Sequence, residues 1–183
     1  IDLYNLPETV LRKISGSPIP YDGPLSSEHT EYIGKPWQVF WQQNCYMAVD
    51  CLGICKYHTV FLGATLPNFE DWPKVIYYNT GLEFTPEELW EIAERCNNLE
   101  RMFNLREGLE RDDPVKGDTL NHRYFDEPLR RGAPDIVGMT IDRKKFKKMV
   151  DEFYTHNGWD KKGVPTPETL SRLDLDQEPT HLL

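Results

Sequence analysis

Along most of the chain, apolar residues recur at intervals of three and four, the spacing that lines one face of an α-helix. The first group is Val10, Leu11 and Ile14, preceded by Pro7 and Glu8, residues suited to a first turn. From Ser15 to Gly34 the pattern lapses into Ser, Gly, Pro and Asp, which predicts an ordered but irregular loop. Pro36 then opens an aromatic run, Trp37, Val39, Phe40 and Trp41, that continues through Tyr46, Met47 and Val49. Apolar side chains fall nearly all round this helix, so it is expected to be buried. It stops at Asp50–Cys55, where Gly53 can make a left-handed turn without a Cβ clash.

Lys56 to Gly63 is short and apolar, and its period does not separate helix from strand. Asn68 to Gly81 reads as a helix with Asp71 and Pro73 in its early turns, and Val75, Ile76 and Tyr78 on its face. Thr85-Pro86-Glu87-Glu88 is a capping box with Pro at the first helical position. Leu89, Ile92, Ala93, Cys96, Leu99, Met102 and Phe103 follow at helical spacing, and Gly108 closes the element. A long polar stretch, Leu109 to Met139, is either a functional strap or a surface that packs on something else. Thr140 or Asp142 caps the next helix, with Phe146, Met149, Val150 and Phe153 inward, Lys144, Lys145, Lys147 and Lys148 outward, and Gly158 at its end. Thr166-Pro167-Glu168-Thr169 starts a last short helix before a polar tail. The fold class expected is therefore all-α, multihelical with long irregular loops. It divides into a lead-in helix and loop (1–34), motif-bearing helices (35–108), a polar strap (109–140) and closing helices (141–183).

Composition narrows the function. With 39% hydrophobic residues in 183, a packed core is within reach. A net charge of −9 leaves no dominant basic field, which argues against nucleic acid or an anionic membrane surface as partner. No apolar run approaches the length of a membrane span, and no signal peptide opens the chain. Residue 1 is Ile rather than Met, which suggests processing or numbering begun inside a longer polypeptide.

Cys45, Cys51, Cys55 and Cys96 lie in apolar, aromatic-rich surroundings and read as reduced and intracellular thiols. Three of them within eleven positions raise the prospect of a metal or cluster site. Without C-x-x-C pairs, the chain supplies at most part of one. A zinc site built from all four is awkward, because Cys45 and Cys51 share one helix.

The pattern Asp50-x-x-Gly53-x-Cys55 carries the most chemistry. It sets a carboxylate at the end of a helix, turns the backbone at Gly53, and delivers a thiol just beyond. A flat heterocycle with paired N–H groups, such as a pterin, would satisfy both carboxylate oxygens, and the thiolate could ligate iron or zinc. The plainer reading has Asp50 capping a turn and Cys55 packing. His58 could line a substrate channel or serve as a structural histidine, and Lys56 could neutralise a cofactor phosphate or stay solvated. Arg106, in Asn104-Leu105-Arg106-Glu107-Gly108, could hold a loop, face the site, or belong to helix-capping chemistry.

Asp50-Cys51-Leu52-Gly53-Ile54-Cys55-Lys56 resembles the D-x-x-G-L-C-K motif in the C-terminal region of the tungsten-containing aldehyde:ferredoxin oxidoreductase family. Tyr78-Asn79-Thr80-Gly81 with Phe84-Thr85-Pro86-Glu87-Glu88-Leu89 is similar to that family's N-x-x-T-G-x-x-x-T-x-E-E-L stretch. Glu94-Arg95 and Asn98-Leu99-Glu100-Arg101-Met102-Phe103-Asn104-Leu105-Arg106-Glu107-Gly108 are similar to its G-E-R-x-x-N-L-x-R-x-F-N-x-R-E-G signature. Tyr124-Phe125-Asp126-Glu127-Pro128, Asp151-Glu152-Phe153-Tyr154, Gly158-Trp159-Asp160 and Gly163-Val164-Pro165-Thr166 follow its closing segments. The resemblance runs from about Trp37 to Leu173.

The resemblance implies a C-terminal portion of an enzyme that oxidises aldehydes to carboxylic acids on a tungsten, alternatively molybdenum, bis-pyranopterin. Electrons would pass through a [4Fe–4S] cluster to ferredoxin. It assigns Asp50 to the pterin and Cys55 to both the cluster and the pterin, with Gly53, Ile54 and Lys56 completing the cofactor-binding motif; Ile54 replaces the usual Leu. Cys51 falls at a variable position and is left structural. The other three cluster cysteines, the D-x-x-G-x-D motif and the N-terminal β-rich region are absent from these residues, and no catalytic residue is assigned. The chain is accordingly expected to be inactive alone and to need the rest of the enzyme or a companion subunit, in the cytoplasm. The lysines near Arg143–Lys148 read as a solvated face, or as a dock for acidic ferredoxin. Alternatives are a non-catalytic helical interaction or redox-adaptor subunit, and an aromatic acyl-thioester reductase of the same family.

Overall fold

The computed structural model describes residues 7–14, 18–28, 30–59 and 66–176. Seven α-helices occur among them: α1 (Glu8–Ile14), α2 (Lys35–Leu52), α3 (Trp72–Thr80), α4 (Pro86–Arg106), α5 (Arg123–Asp126), α6 (Arg143–Asn157) and α7 (Pro167–Arg172). No strand occurs among the described residues beyond one isolated antiparallel bridge, Trp159 with Pro165. The all-α expectation holds. Of the apolar stretch Lys56–Gly63, Lys56–His58 forms a 3₁₀ turn, and residues 60–63 lie outside the described residues. The end of the polar tail, from 177, lies outside them too.

Helix α2 packs against both α4 and α6, and α3 leans on α4. The core between them is aromatic: Trp37, Phe40 and Trp41 from α2 meet Phe69, Trp72 and Trp90. Phe40 sits edge-on to Trp90 at 5.5 Å, and Phe69 lies 5.1 Å from the same ring. The lead-in loop joins through Tyr21, stacked on Trp37 at 4.4 Å. The sequence-based expectation that α2 is buried is met on two sides, although Val39 faces solvent.

Caps fall where the residue types place them. Thr85 and Glu88 make the reciprocal capping box. Asp142 rather than Thr140 caps α6, accepting from the Lys145 N–H. Pro7 lies one residue before α1, where its carbonyl accepts from Val10 and Leu11. Asn68–Asp71 forms a turn ahead of α3 rather than its first turn, because Asp71 accepts from the Asn68 N–H.

Two inward faces differ from expectation. On α3 only Trp72 is buried and Ile76 packs beside it; Val75 and Tyr78 are exposed, Tyr78 by 82%. At about 3.6 residues per turn, Tyr78 lies roughly 120° round the helix from Trp72, which Phe69 and Trp90 fix toward α4. On α4 the buried positions are Leu89, Trp90, Ala93, Glu94, Asn97, Asn98, Arg101 and Met102, while Leu99 and Phe103 face outward. This stripe repeats every four residues, so it turns by roughly 40° per step around the helix. Leu89, Trp90 and Ala93 at its start meet apolar neighbours, whereas Glu94, Asn97, Asn98 and Arg101 in its second half meet polar ones.

That second half is a ladder. Asn97 donates to Asn44 Oδ1 on α2 at 3.0 Å, and the Trp159 indole donates to Asn98 Oδ1 at 2.8 Å. Arg172 on α7 grips the buried Glu94 with two bonds of 2.9 and 3.1 Å. Arg101 donates to both oxygens of Asp118 in the strap at 3.0 and 2.6 Å, and to the Gly163 carbonyl at 2.7 Å. Its guanidinium also lies 4.5 Å over the Trp159 ring. Gly163 has φ +79°, and a Cβ there would come within 2.0 Å of Arg101 Nη2, so both backbone and space require glycine. Beside the ladder, Met102, Leu170, Leu173 and Leu175 form a second small core.

The strap is ordered by local bonds rather than buried apolar surface. Asp113 accepts from the Val115 and Lys116 N–H groups. Leu129 exchanges bonds with Gly138 and Met139, and Ile141 donates to the Tyr124 carbonyl.

Arg101→Ala would strand Asp118 and the Gly163 carbonyl, and is expected to cost about 3 kcal/mol, read as a lower urea midpoint at unchanged m-value. His156 on α6 is wedged among Tyr21, Trp37 and Phe40; burial lowers its pKa below 6.5, with the Glu152 charge opposing. The unfolded chain therefore takes up that proton first, and stability falls as pH drops from 6.5 through the lower folded value. His156→Phe should flatten that part of the stability–pH curve.

Candidate functional site

Helix α2 ends in a Schellman arrangement. The Ile54 N–H donates to the Val49 carbonyl at 3.1 Å, and the Gly53 N–H donates to the Asp50 carbonyl at 3.2 Å. Gly53 takes φ +64°, and nothing lies within 4 Å of a Cβ placed there. Glycine is thus required by the backbone alone. Ile54 packs its side chain against the aromatic core, which anchors the far side of the turn.

The turn presents its polar groups outward. Asp50 is exposed on the last turn of α2, and Lys56 Nζ pairs with its Oδ2 at 3.0 Å. The same ammonium lies 4.6 Å over the Tyr46 ring, so Lys56 is held between a carboxylate and an aromatic face. Oδ1 of Asp50 has no hydrogen-bond partner among the described residues. Cys55 is exposed at the head of the 3₁₀ turn, where its carbonyl accepts from the His58 N–H at 2.9 Å. Thr59 closes that turn, its hydroxyl donating to the Lys56 carbonyl. Asp50, Gly53 and Cys55 are therefore all exposed around this turn, with Lys56 paired to Asp50 and Ile54 as the anchor.

His58 is exposed as well. Arg106 pairs with Glu107 at 3.1 Å and covers the Phe103 ring at 4.7 Å, which is local chemistry at the end of α4. Lys144, Lys145, Lys147 and Lys148 are exposed on α6, as their spacing predicts.

The four cysteines do not converge. Cys45 is fully buried in the core, where burial pushes its thiol well up. Cys51 and Cys96 face each other at 3.8 Å, a pairing that sequence reasoning missed because it set Cys96 among the inward apolar positions. No group of three or more His, Cys, Asp and Glu residues among the described ones is placed to hold a metal by itself. The four-cysteine zinc site fails on this geometry. What remains is one exposed thiol, Cys55, and the Asp50 carboxylate with one oxygen held by Lys56. Sequence reasoning also missed an open groove of about 1230 Å³ between the loop at Glu31–Lys35, the strap and α6. Its walls include Tyr124, Leu129, Ile136, Met139, Phe146 and Met149, residues too scattered along the chain for any period to group.

The first long helix of this helical domain thus ends in a turn that carries a carboxylate, a glycine and a thiol. The family profile described as aldehyde ferredoxin oxidoreductase, domains 2 & 3, matches residues 8–175. The chain belongs to the aldehyde ferredoxin oxidoreductase family. The tungsten-containing aldehyde ferredoxin oxidoreductase of Pyrococcus furiosus is 33% identical over 133 residues, which cover 73% of this chain and 20% of that protein. The Pyrococcus horikoshii enzyme of the same name is 32% identical over 135 residues, again 20% of its length. An aliphatic sulfonate oxidoreductase WOR-like subunit from Pyrococcus furiosus is 29% identical over 155 residues. Among solved structures, the BamBC active-site complex of benzoyl coenzyme A reductase, with 1,5-dienoyl-CoA, is similar at a TM-score of 0.61 and 27% identity. That match covers 95% of this chain and 24% of that one. The chain spans about a fifth of the length of the curated relatives it matches, in their C-terminal region. No helix among the described residues is long and apolar enough to cross a membrane.

Gly53→Ala must pay for a left-handed non-glycine residue, and is expected to cost about 1 kcal/mol. Gly53→Asn should cost less, and comparing their thermal midpoints checks that conformation, not space, sets the requirement.

Proposed function

We propose that residues 1–183 act as one helical C-terminal domain of a tungsten or molybdenum bis-pyranopterin oxidoreductase. Asp50 hydrogen-bonds a pterin through its unpartnered oxygen. Cys55 supplies one thiolate to a [4Fe–4S] cluster whose other ligands lie outside these residues. The observation that supports this reading is the turn at the end of α2, around which both groups are exposed. Gly53 and Ile54 shape and anchor that edge. Lys56 holds the other Asp50 oxygen and would offer its ammonium to a cofactor phosphate.

When bound, the metallo-pterin supplies the two-electron chemistry that turns an aldehyde and water into a carboxylic acid and two protons. The protein's part is to fix the pterin edge and hold the cluster thiolate beside it. A cluster held by Cys55 would supply a one-electron route toward ferredoxin, in the cytoplasm. The exposed row Lys144, Lys145, Lys147 and Lys148 offers an acidic ferredoxin a complementary face. A second reading, reduction of an aromatic acyl-thioester, is favoured by the likeness to the benzoyl coenzyme A reductase complex over nearly the whole chain. Assaying an aldehyde and an aromatic acyl-thioester side by side separates the two.

In the enzyme that contains this chain, Cys55→Ser is expected to deplete iron, and Asp50→Ala to lower retained tungsten while iron stays. Metal analysis of anaerobically purified variants checks both. Wild-type iron and tungsten in both variants would overturn the assignment and leave a non-catalytic adaptor as the better account.

A further inference from the structure

Cys51 is exposed on the last turn of α2, and Cys96 is half-buried in the middle of α4. Their sulfurs are 3.8 Å apart across the packed pair of helices, although 45 positions separate them in sequence. A disulfide needs about 2.0 Å between the sulfurs, a closure within reach of side-chain rotation when one partner faces solvent. The other two thiols have different settings: Cys45 is sealed in the core, and Cys55 heads the 3₁₀ turn.

We propose that Cys51 and Cys96 are a redox-active dithiol that closes to a disulfide, tying the last turn of α2 to the middle of α4. Cys51 directly follows Asp50, so the bond would restrain the turn that carries the Asp50–Cys55 edge. The oxidant is a small-molecule disulfide. One thiol attacks it, releasing one small thiol and leaving a mixed disulfide; the second protein thiol then displaces the other small thiol. The protein loses two protons and two electrons, and the small disulfide gains them as two thiols, so the exchange balances. Burial, the Cys96 sulfur and the nearby Asp50 and Glu100 carboxylates push the Cys51 thiol up to about 11. Cys51 therefore rests as the thiol at neutral pH.

The test is an anaerobic incubation of the enzyme containing this chain with oxidised glutathione, followed by alkylation and peptide mapping without reductant. The expected result is one cross-linked species joining the Cys51 and Cys96 peptides, lighter than their sum by two hydrogens and lost on adding dithiothreitol. Cys51→Ser or Cys96→Ser should abolish it, with Cys51 of the second variant left as a glutathione adduct. A wild-type map in which Cys51 stays free, stays glutathionylated, or links to Cys55 overturns the proposal. The wild-type map decides the matter even if a variant folds poorly. Its readout is a covalent bond within this chain, independent of cofactor content and substrate.

Discussion

The buried guanidinium of Arg101 is the constraint on which the second half of the domain depends. It is a permanent charge with five donors, and it is nearly sealed from water. Such a group is tolerable only when carboxylate, carbonyl and aromatic partners surround it. Asp118 comes from the strap, and Gly163 and the Trp159 ring from the loop that follows α6. Meeting the needs of one side chain therefore ties the strap and that loop to α4. Tyr154 adds to the same knot by donating to Asp118, and this bond and burial push its own ionisation upward.

The first half of the domain is held differently. Its aromatic core is broad and non-directional, and it fixes α2 between α4 and α6 by area rather than by angle. The turn after α2 takes its geometry from that core through Ile54, while its polar groups remain outside. A rigid interior and an exposed chemical edge are thus two faces of one helix terminus.

What could be read from the sequence followed this division. Caps, helix-ending glycines and the Asp50–Cys55 pattern depend on residues within a few positions of one another, so spacing exposed them. The inward face of α4 did not yield to the same reading. Its apolar residues suggested one stripe, but Glu94, Asn97, Asn98 and Arg101 are buried because their partners arrive from distant segments. Leu99 and Phe103 are turned outward as a result. Cys96 was misassigned for the same reason, since only the packing of α2 on α4 brings Cys51 to it. The family resemblance supplied what local physics could not, namely why a carboxylate and a thiol should lie beside one turn.

The ladder on α4 also bears on how such a domain can change over generations. Deleting one partner of a buried polar pair leaves the other unsatisfied, whereas replacing both with apolar groups of similar shape can be nearly neutral. Asn44 with Asn97, Glu94 with Arg172, and Arg101 with Asp118 are each joined across 17 or more positions. Single substitutions at these rungs meet a barrier that double substitutions avoid. The rungs should therefore drift in pairs, while the aromatic core beside them can exchange one ring for another singly.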